Sequence, residues 1–395
     1  MDLFATIPSD TRRVVLGASP LAISLGFYQV AIAVFLPLEG VSVTELGVIL
    51  TTFGLSAVVF SIPFAVLSDR YGRRLLMVTG AFLTTIVMMV PGVTSDFLPL
   101  EFSAIVGGIG EAMYLSTWNA YLADTTSVDV RPAAYSLSFM TFTIASGVGS
   151  FLPGFFPFLP LDLNDAHRVT FVTLGLLGLA TPLAALKWGT SMKPKSARQG
   201  MLPRKSLGII MKFSIPNLMI ALGAGLIIPL VPTWFYLRFN VTDVFTGPLL
   251  ASASIVMGLA AVASPGIAGR IGLVRGIVST QMLSTTFLFA IPLSPTAFVA
   301  APLYVIRSAL MNMSSPLADT FLMNLISEDE RATASSFNVI IWRLPNAAST
   351  AVGGWLLGGG HLSLPFYFCT VFYVSSIALF YAIFRGMDLP HSKSV

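Results

Sequence analysis

Four ionisable residues interrupt long apolar stretches of this sequence: Glu111, Arg307, Asp319 and Arg343. In the middle of a membrane helix each would cost about 2.5–3.5 kcal/mol, so each should face the protein interior and have a partner. A carboxylate in such a place can carry a proton, and an arginine can clamp an anionic group through its planar guanidinium. The alternative is a static network of neutralising ion pairs that fixes helix packing. Both interpretations predict a polar site inside an apolar framework.

Uncharged polar residues in the same stretches are weaker candidates for this site. They are Tyr28 and Gln29 in the first stretch, Asn119 in the fourth and Asn312 in the tenth. The seventh stretch is predicted to be bent or broken by its glycines and prolines, which are Gly223, Gly225, Pro229 and Pro232. Broken helices are where gates and sites form, although helix packing alone also explains them.

The residue patterns expected of an enzyme or a metal centre are missing from the sequence. His167, His361 and His391 are scattered over predicted loops and a tail, without the spacing of metal ligands. The sequence has no glycine–lysine loop that could cradle the phosphates of ATP. Cys369 is the lone cysteine, which excludes a disulfide framework. The sequence therefore predicts no cofactor, no metal and no enzymatic activity.

The composition indicates which elements must position the polar residues. The chain has 395 residues, of which 55% are hydrophobic and 10% charged, and its mean hydropathy is +0.83. Soluble domains carry about 25% charged residues, so a fold this poor in charge must face lipid over much of its surface. The net charge of +4 is spread along the chain without a basic domain, which argues against nucleic-acid binding.

Twelve apolar runs are long enough to span a bilayer as helices of about 20 residues. They lie near 15–38, 46–67, 75–95, 98–123, 133–157, 168–188, 208–236, 244–265, 276–294, 296–325, 333–358 and 364–385. The segment 189–206 is the longest polar stretch and is rich in lysine and arginine. The runs predict an all-α integral membrane protein with an N-terminal six-helix bundle at 1–188, a cytoplasmic linker at 189–206 and a C-terminal six-helix bundle at 207–395.

The distribution of basic residues predicts the orientation of the chain. If the N-terminus lies in the cytoplasm, most of the 22 lysines and arginines fall on the cytoplasmic side, as the positive-inside rule requires. The outer loops then hold only Arg168 and Arg238. Because the number of spans is even, we expect both termini in the cytoplasm.

An internal repeat relates the two halves of the sequence. A shift of 200 residues superposes basic residues and glycines in the loops after the second and fourth span of each half. The matched pairs are Arg70 with Arg270, Gly72 with Gly272, and Arg131 with Arg331. Both halves then run in the same direction, so we expect parallel repeats related by a pseudo-two-fold axis along the membrane normal.

The loop between the second and third spans carries a motif, Asp-Arg-Tyr-Gly-Arg-Arg at 69–74, with a degenerate copy at 269–275. Glycine suits the tight turn between two helices, and arginines hold such a loop at the anionic inner leaflet. The order of residues also resembles the signature loop of the major facilitator superfamily, and the resemblance covers the whole chain. Two departures from the family pattern are Ala65, where the motif usually begins with glycine, and Gly269, which replaces the aspartate in the second copy.

The resemblance implies the fold of that family and a secondary transporter that moves a small organic solute by alternating access. We expect a monomer in the plasma membrane, with the lipid bilayer, a small-molecule substrate and protons as partners. In the family the loop acts as a cytoplasmic latch, so Asp69 would face the start of the eleventh span and Arg73 would pair with Asp124. The gating residues implied are Asp69, Arg70, Gly72, Arg73, Arg74, Asp124, Arg131, Arg270, Gly272 and Arg331.

Two further patterns bear on the kind of transport. The fifth span contains glycines and prolines that loosely match a stretch of many antiporters, namely Gly147, Gly149, Pro153 and Gly154, although plain helix packing explains them as well. An arginine early in the fourth span, found in many proton-coupled drug exporters, is missing, and Ala104 stands about where it would fall. Proton-coupled transport of a small organic solute is therefore the main hypothesis. A multidrug or metabolite exporter, or a uniporter, is the alternative.

Overall fold

A computed structural model of the chain describes residues 6–127, 129–190, 206–326 and 331–387. Within these ranges the side chains of Asp69, Pro132, residues 331–336 and six residues between 261 and 268 are not described. Most of the predicted linker, 191–205, lies outside the described residues. The secondary structure of the described ranges is helical, which confirms the predicted all-α class.

The described helices follow one another in a simple order. They are α1 (Ser9–Leu16), α2 (Ser19–Leu38), α3 (Val43–Tyr71), α4 (Arg73–Val93), α5 (Phe97–Thr125), α6 (Arg131–Phe151), α7 (Leu163–Gly178), α8 (Ala180–Trp188), α9 (Leu207–Ile227), α10 (Val231–Phe239), α11 (Asp243–Ile271), α12 (Leu273–Ala290), α13 (Ala297–Leu325), α14 (Arg331–Gly358) and α15 (Leu364–Phe384). Short 3-10 turns cover Leu152–Phe158, Ile228–Leu230 and Ile291–Leu293. Each of the twelve predicted runs coincides with one of these helices or with two consecutive ones.

The helices are long and apolar enough for a membrane. Ten stretches of the described chain could span a bilayer by length and composition. The other two long helices, α5 and α14, have 29 and 28 residues and carry Glu111 and Arg343 near their middles. Large apolar side chains are exposed along the helices, and those of Phe158 and Phe298 are 82% and 80% exposed. Because water opposes the exposure of such faces, lipid is the solvent that fits them.

The internal repeat is present in the helix bounds. α3 and α11 each have 29 residues and begin 200 residues apart, and the same holds for α5 and α13. Gly72 and Gly272 lie at matching junctions with φ of 96° and 88°, a region that glycine enters without steric cost. The repeat predicted from the loops therefore extends to the backbone. The axis that relates the halves stays a prediction.

Glycines allow two pairs of helices to cross at backbone contact. On α6, a Cβ added to Gly149 would lie 1.9 Å from the carbonyl oxygen of Ile23 on α2. On α2, a Cβ at Gly26 would lie 2.0 Å from the carbonyl oxygen of Ser146. Gly147, by contrast, has open space where its Cβ would be. Helix packing therefore accounts for Gly149 in the glycine-rich stretch of the fifth span.

The second half contains the same kind of crossing between α9 and α14. A Cβ at Gly225 would lie 2.0 Å from the carbonyl oxygen of Asn346, and a Cβ at Gly353 would lie 2.0 Å from that of Leu226. Small residues at a crossing let two membrane helices approach to van der Waals contact. The crossing of α9 and α14 within the second half corresponds to the crossing of α2 and α6 within the first half.

The seventh predicted span is broken, as its prolines predict. α9 ends at Ile227, a 3-10 turn follows, and α10 begins at Val231. The sixth span is also divided, between α7 and α8, which the sequence analysis did not predict. Pro182 has no N–H to donate to the carbonyl four residues earlier, so the helical ladder is interrupted near Leu179. A short helix, α1, also precedes the first predicted span.

The described residues form two compact units. The first contains residues 6–190 together with Thr242–Ala251, which are the first turns of α11. The second contains residues 206–241 and 252–387. Each unit has a buried apolar cluster at the helix ends that the charge distribution assigns to the cytoplasm, around Tyr121 in the first and Phe321 in the second.

Candidate functional site

The loop between α3 and α4 is held by an ion pair to the end of α5. Arg73 donates through Nε to the Asp124 carboxylate and through Nη1 to the Ser68 hydroxyl, the latter at 3.2 Å. The contact implied by the family resemblance is therefore present. It ties the first turn of α4 to the last turns of α3 and α5. Both charged side chains are partly exposed, and pairs of this kind contribute about 0–1 kcal/mol, so the contact can open at small cost.

Arg131 closes the end of α5 from the first turn of α6. Its guanidinium donates to the backbone carbonyls of Ala123 and Thr126 at 2.9 and 3.5 Å. The last carbonyls of a helix lack partners within it, and the helix dipole favours a cation there. Arg131 thus stabilises the same helix end that holds Asp124.

The other predicted gating residues, all but Arg331, lie in or beside the loops after α3 and α11, and the structure describes most of their side chains. Arg70 and Arg270 are exposed, and Gly272 directly precedes α12 as Gly72 directly precedes α4. Arg74 is half-buried, and its Nε has no hydrogen-bond partner among the described residues. The side chains of Asp69 and Arg331 lie outside the described residues, so the gating contacts of these two stay predictions.

Arg307 is buried inside the second unit. Its side chain donates through Nη2 to the Tyr373 hydroxyl at 2.8 Å, and its guanidinium carbon lies 5.6 Å from the centre of the Tyr373 ring. Its backbone carbonyl accepts a hydrogen bond from Ser284 at 2.8 Å, so α13 is tied to both α12 and α15. Cys369 is buried one turn before Tyr373. The charge of Arg307 therefore faces the phenol of Tyr373.

The other three ionisable residues lie at different depths of burial. Glu111 is the middle residue of α5 and is half-buried in the first unit. Arg343, near the middle of α14, is half-buried in the second unit, whereas Asp319 on α13 is exposed. Arg307 and Asp319 are twelve residues apart on one helix, which corresponds to about 18 Å. The structure therefore does not bring these two side chains together.

The uncharged candidates divide into one core residue and three exposed ones. Tyr28 is 7% exposed, and its ring packs edge-on against Phe171 at 6.1 Å, so it belongs to the core between α2 and α7. Gln29 is exposed although it lies on a mostly buried helix. Asn119 and Asn312 are also exposed, and the Asn312 amide donates to the Ser308 carbonyl at 2.9 Å.

A polar strip inside the second unit escaped the sequence analysis. Asn217 on α9 donates to the side-chain oxygen of Asn338 on α14 at 2.6 Å, and Gln281 on α12 donates to Ser314 on α13 at 3.2 Å. Asn217 and Gln281 also line a small cavity together with Ser376 of α15. Because these side chains are uncharged and isolated in apolar runs, a search for charges could not find them.

The structure also corrects the placement of His167, which the sequence analysis assigned to a loop. His167 lies in α7 with no exposed side-chain surface, and its Nε2 is 2.7 Å from Oδ2 of Asp243 in the first turn of α11. Its Nδ1 is 2.6 Å from the backbone carbonyl of Leu163. The ring stacks on Phe35 at 5.1 Å and meets the edge of Phe156 at 4.8 Å. The polar first turn of α7 hid this helix start from a search for apolar runs.

These features define a class of protein: a multi-pass helical membrane protein with ionisable residues near the middle of several spans. The sequence model of the Major Facilitator Superfamily matches residues 14–350. The chain belongs to the Major Facilitator Superfamily. It is therefore a transporter and not an enzyme.

Known proteins resemble the chain over most of its length. Multidrug resistance protein 1 of Bacillus subtilis (strain 168) is 24% identical over 344 residues, which are 85% of this chain and 86% of that protein. The crystal structure of a bacterial homolog to the human lysosomal transporter Spinster, in an inward-facing and occupied conformation, matches with a TM-score of 0.77 at 17% identity, covering 98% of this chain and 100% of that one. The crystal structure of a D-xylose-proton symporter matches with a TM-score of 0.74 at 15% identity, covering 96% and 98%. At these identities the solved structures bear on the fold alone.

Proposed function

We propose that this transporter moves a small organic solute across the plasma membrane by alternating access and that protons drive the movement. The protein would act as a monomer with both termini in the cytoplasm. The position of Glu111 carries the proposal, since it is an acidic residue at the middle of a membrane helix. An ionisable side chain there costs about 2.5–3.5 kcal/mol, and proton transfer is a function that would offset this cost.

Proton coupling follows from the chemistry of such a carboxylate. A glutamate that is protonated in one part of the transport cycle and ionised in another binds and releases one proton in each cycle. Asp319 on α13 is the alternative proton carrier. It is exposed whereas Glu111 is half-buried, so burial affects the Asp319 carboxyl group less. The resemblance of the fold to a D-xylose-proton symporter is consistent with this use of the scaffold.

Export of diverse drugs is the second candidate function. The similarity to Multidrug resistance protein 1 over 85% of this chain favours it. Against it, α5 has the fully buried Ala104 about where many proton-coupled drug exporters have an arginine. The solute class is therefore the point that an experiment has to decide.

The proposal is tested with purified protein in proteoliposomes under an imposed pH gradient. A thermal-shift screen of sugars, nucleosides and cationic drugs first selects solutes, because a ligand of the folded state raises its stability. We expect at least one selected solute to accumulate above its external concentration, and a protonophore to abolish this accumulation. Stabilisation by drugs alone would support export, whereas transport that ignores the pH gradient would show a uniporter and contradict proton coupling.

Two variants assign the proton to a residue. Glu111→Gln keeps the shape of the protonated side chain, so it should abolish accumulation driven by the pH gradient while solute exchange at equal pH continues. Asp319→Asn should show this phenotype instead if Asp319 is the carrier. The matched control is Asp129→Asn, which removes an exposed carboxylate from the loop after α5. Full accumulation in both membrane variants would mean that these acids are structural.

A further inference from the structure

A buried pair of titratable residues joins α7 to the first turn of α11. His167 and Asp243 both have 0% exposed side chains, and His167 Nε2 lies 2.7 Å from Asp243 Oδ2. Both belong to the first compact unit, because Thr242–Ala251 group with it, whereas α11 continues from residue 252 in the second. Neither residue takes part in the sites described so far.

The contact of the other ring nitrogen determines where the protons are. His167 Nδ1 lies 2.6 Å from the backbone carbonyl oxygen of Leu163, and a carbonyl only accepts hydrogen bonds, so Nδ1 must carry a proton. In a neutral ring, Nε2 then has a lone pair. That lone pair would face a lone pair of an ionised Asp243 at 2.7 Å, which is repulsive. The contact therefore needs one more proton, either on the ring or on the carboxyl group.

Burial favours the same protonation state. With the extra proton the pair is neutral overall, and without it the pair carries one negative charge where no side-chain surface is exposed. An uncompensated charge in such a place is strongly unfavourable. Asp243 Oδ1 and the Thr246 hydroxyl, one turn further on, have no hydrogen-bond partner among the described residues. A neutral carboxyl group tolerates an unpaired oxygen better than a carboxylate does.

The charged neighbours do not compensate for a negative charge on the pair. On α7, Arg168 is already paired with Glu39, which follows α2, and Asp165 is exposed. Asp162 before α7, Asp96 after α4 and Arg238 before α11 are exposed. The 3-10 turn after α6 and the rest of the first turns of α11 contain no ionisable residue. The pair is therefore buried, whereas the neighbouring ionisable groups are exposed or already paired.

The first turns of α11 are closely packed beside the pair. A Cβ at Gly154 would lie 2.7 Å from Cγ of Pro248, and a Cβ at Gly247 would lie 2.6 Å from the carbonyl oxygen of Ser150. Packing this close does not adjust gradually, because interiors are near their maximum density. Small shifts of the backbone therefore cannot relieve a repulsion between His167 and Asp243. The repulsion would instead destabilise the packing of the first turns of α11.

We propose that His167 and Asp243 form a proton-binding site, which holds one proton while the first turns of α11 rest on α7 and releases it when they part. The reaction is the binding of one proton by a neutral imidazole and a carboxylate, and it forms and breaks no other bond. The use of this proton in driving transport rests on the proposed function. The binding of the proton itself does not.

The first test is the thermal unfolding of the purified protein in detergent from about pH 5 to about pH 9. Since docking takes up one proton, the stability it gives is present at low pH and is lost as pH rises, by up to about tenfold in the folded-to-unfolded ratio per pH unit. In Asp243→Asn the amide can donate to Nε2 without an added proton, so this dependence should disappear. Asp165→Asn, the same change at an exposed acid of α7, should keep it. Equal pH dependence in wild type and Asp243→Asn would overturn the proposal.

The second test locates the protons directly and needs no change to the pair. The sequence holds 3 histidines, so nitrogen NMR of histidine-labelled protein gives few signals, and His361→Gln and His391→Gln assign two of them. We expect a proton on Nδ1 of His167 and a response of Nε2 to pH. A ring protonated on Nε2 alone, with bare Nδ1 at all pH values, would show an ordinary hydrogen bond to a carboxylate and refute the site.

The two tests separate this site from the proposed function. If the pair binds its proton but no solute accumulates under a pH gradient, the site stands and proton-coupled transport fails. If solute accumulates while His167 and Asp243 fail both tests, the function stands and the site fails. His167→Gln gives a further check, because glutamine can donate to Asp243 without an added proton and should also remove the pH dependence.

Discussion

Alanine in place of Gly149 should destabilise the protein, whereas the same substitution at Gly147 should not. Both residues lie on α6, two positions apart, so they sit at a similar depth along the same helix but face different sides. The new methyl group at 149 would meet the Ile23 carbonyl oxygen at 1.9 Å and the Phe27 nitrogen at 2.9 Å, and these are backbone atoms that no rotamer change can move. At 147 nothing lies within 4 Å.

The difference between the variants can be worked out from these distances. Ordinary contact begins at 3.4 Å, so α2 and α6 must separate locally by about 1.5 Å to accept a methyl group at 149. Overpacking of a well-packed interior costs about 1–3 kcal/mol. Replacing glycine by alanine within a helix gains up to about 1 kcal/mol at either position, so this gain cancels between the two variants. We therefore expect Gly149→Ala to be less stable than Gly147→Ala by about 1–3 kcal/mol.

Thermal unfolding in detergent, followed by tryptophan fluorescence, measures this difference. Gly147→Ala should melt at or slightly above the wild-type temperature, and Gly149→Ala clearly below it. The reasoning would be refuted if the two variants melted together, because the close crossing of α2 and α6 would then not exist in the protein. A loss of stability in Gly147→Ala alone would also contradict it.

Two further predictions concern single contacts. Tyr373→Phe removes the hydroxyl that accepts a hydrogen bond from buried Arg307 and should lower the free energy of unfolding by about 1.5–3 kcal/mol. Tyr381→Phe, at an exposed tyrosine of the same helix, should melt like wild type. Equal melting temperatures of the two variants would contradict the contact. Asp124→Asn removes the ion pair at the end of α5 and should change solute turnover several-fold with little change in affinity, unlike Asp129→Asn; a large affinity loss with normal turnover in flux assays would place Asp124 in the solute site instead.

Hydropathy was sufficient to predict the spans because lipid imposes one rule on every helix that faces it. Backbone groups must pair within the helix and side chains must be apolar, so long apolar runs and helices coincide. The break at Pro229 was visible for a similar reason, since proline lacks the N–H that a helix needs. The division near Leu179 was missed although Pro182 causes it, because that proline lies in a run that is otherwise uniformly apolar.

The candidate site was harder to predict, because pairing across the fold leaves no trace in local sequence. The Arg73–Asp124 contact was found only through a family resemblance. The partner of Arg307 is a tyrosine that no charge count would select. His167 and Asp243 are 76 residues apart, and each lies at a polar helix start that hydropathy assigns to a loop.

The 200-residue offset has an evolutionary consequence. It places Glu111 opposite Met311, Arg307 opposite Gly107 and Asp243 opposite Val43. A duplicated gene would have supplied both halves with the same helix lengths and turn glycines, while each of these charges exists in a single copy. Descendants of such a duplication can gain or lose a charge in one half without altering the inherited architecture. The residues that set the fold are therefore shared by the two halves, whereas these charged residues are specific to one half.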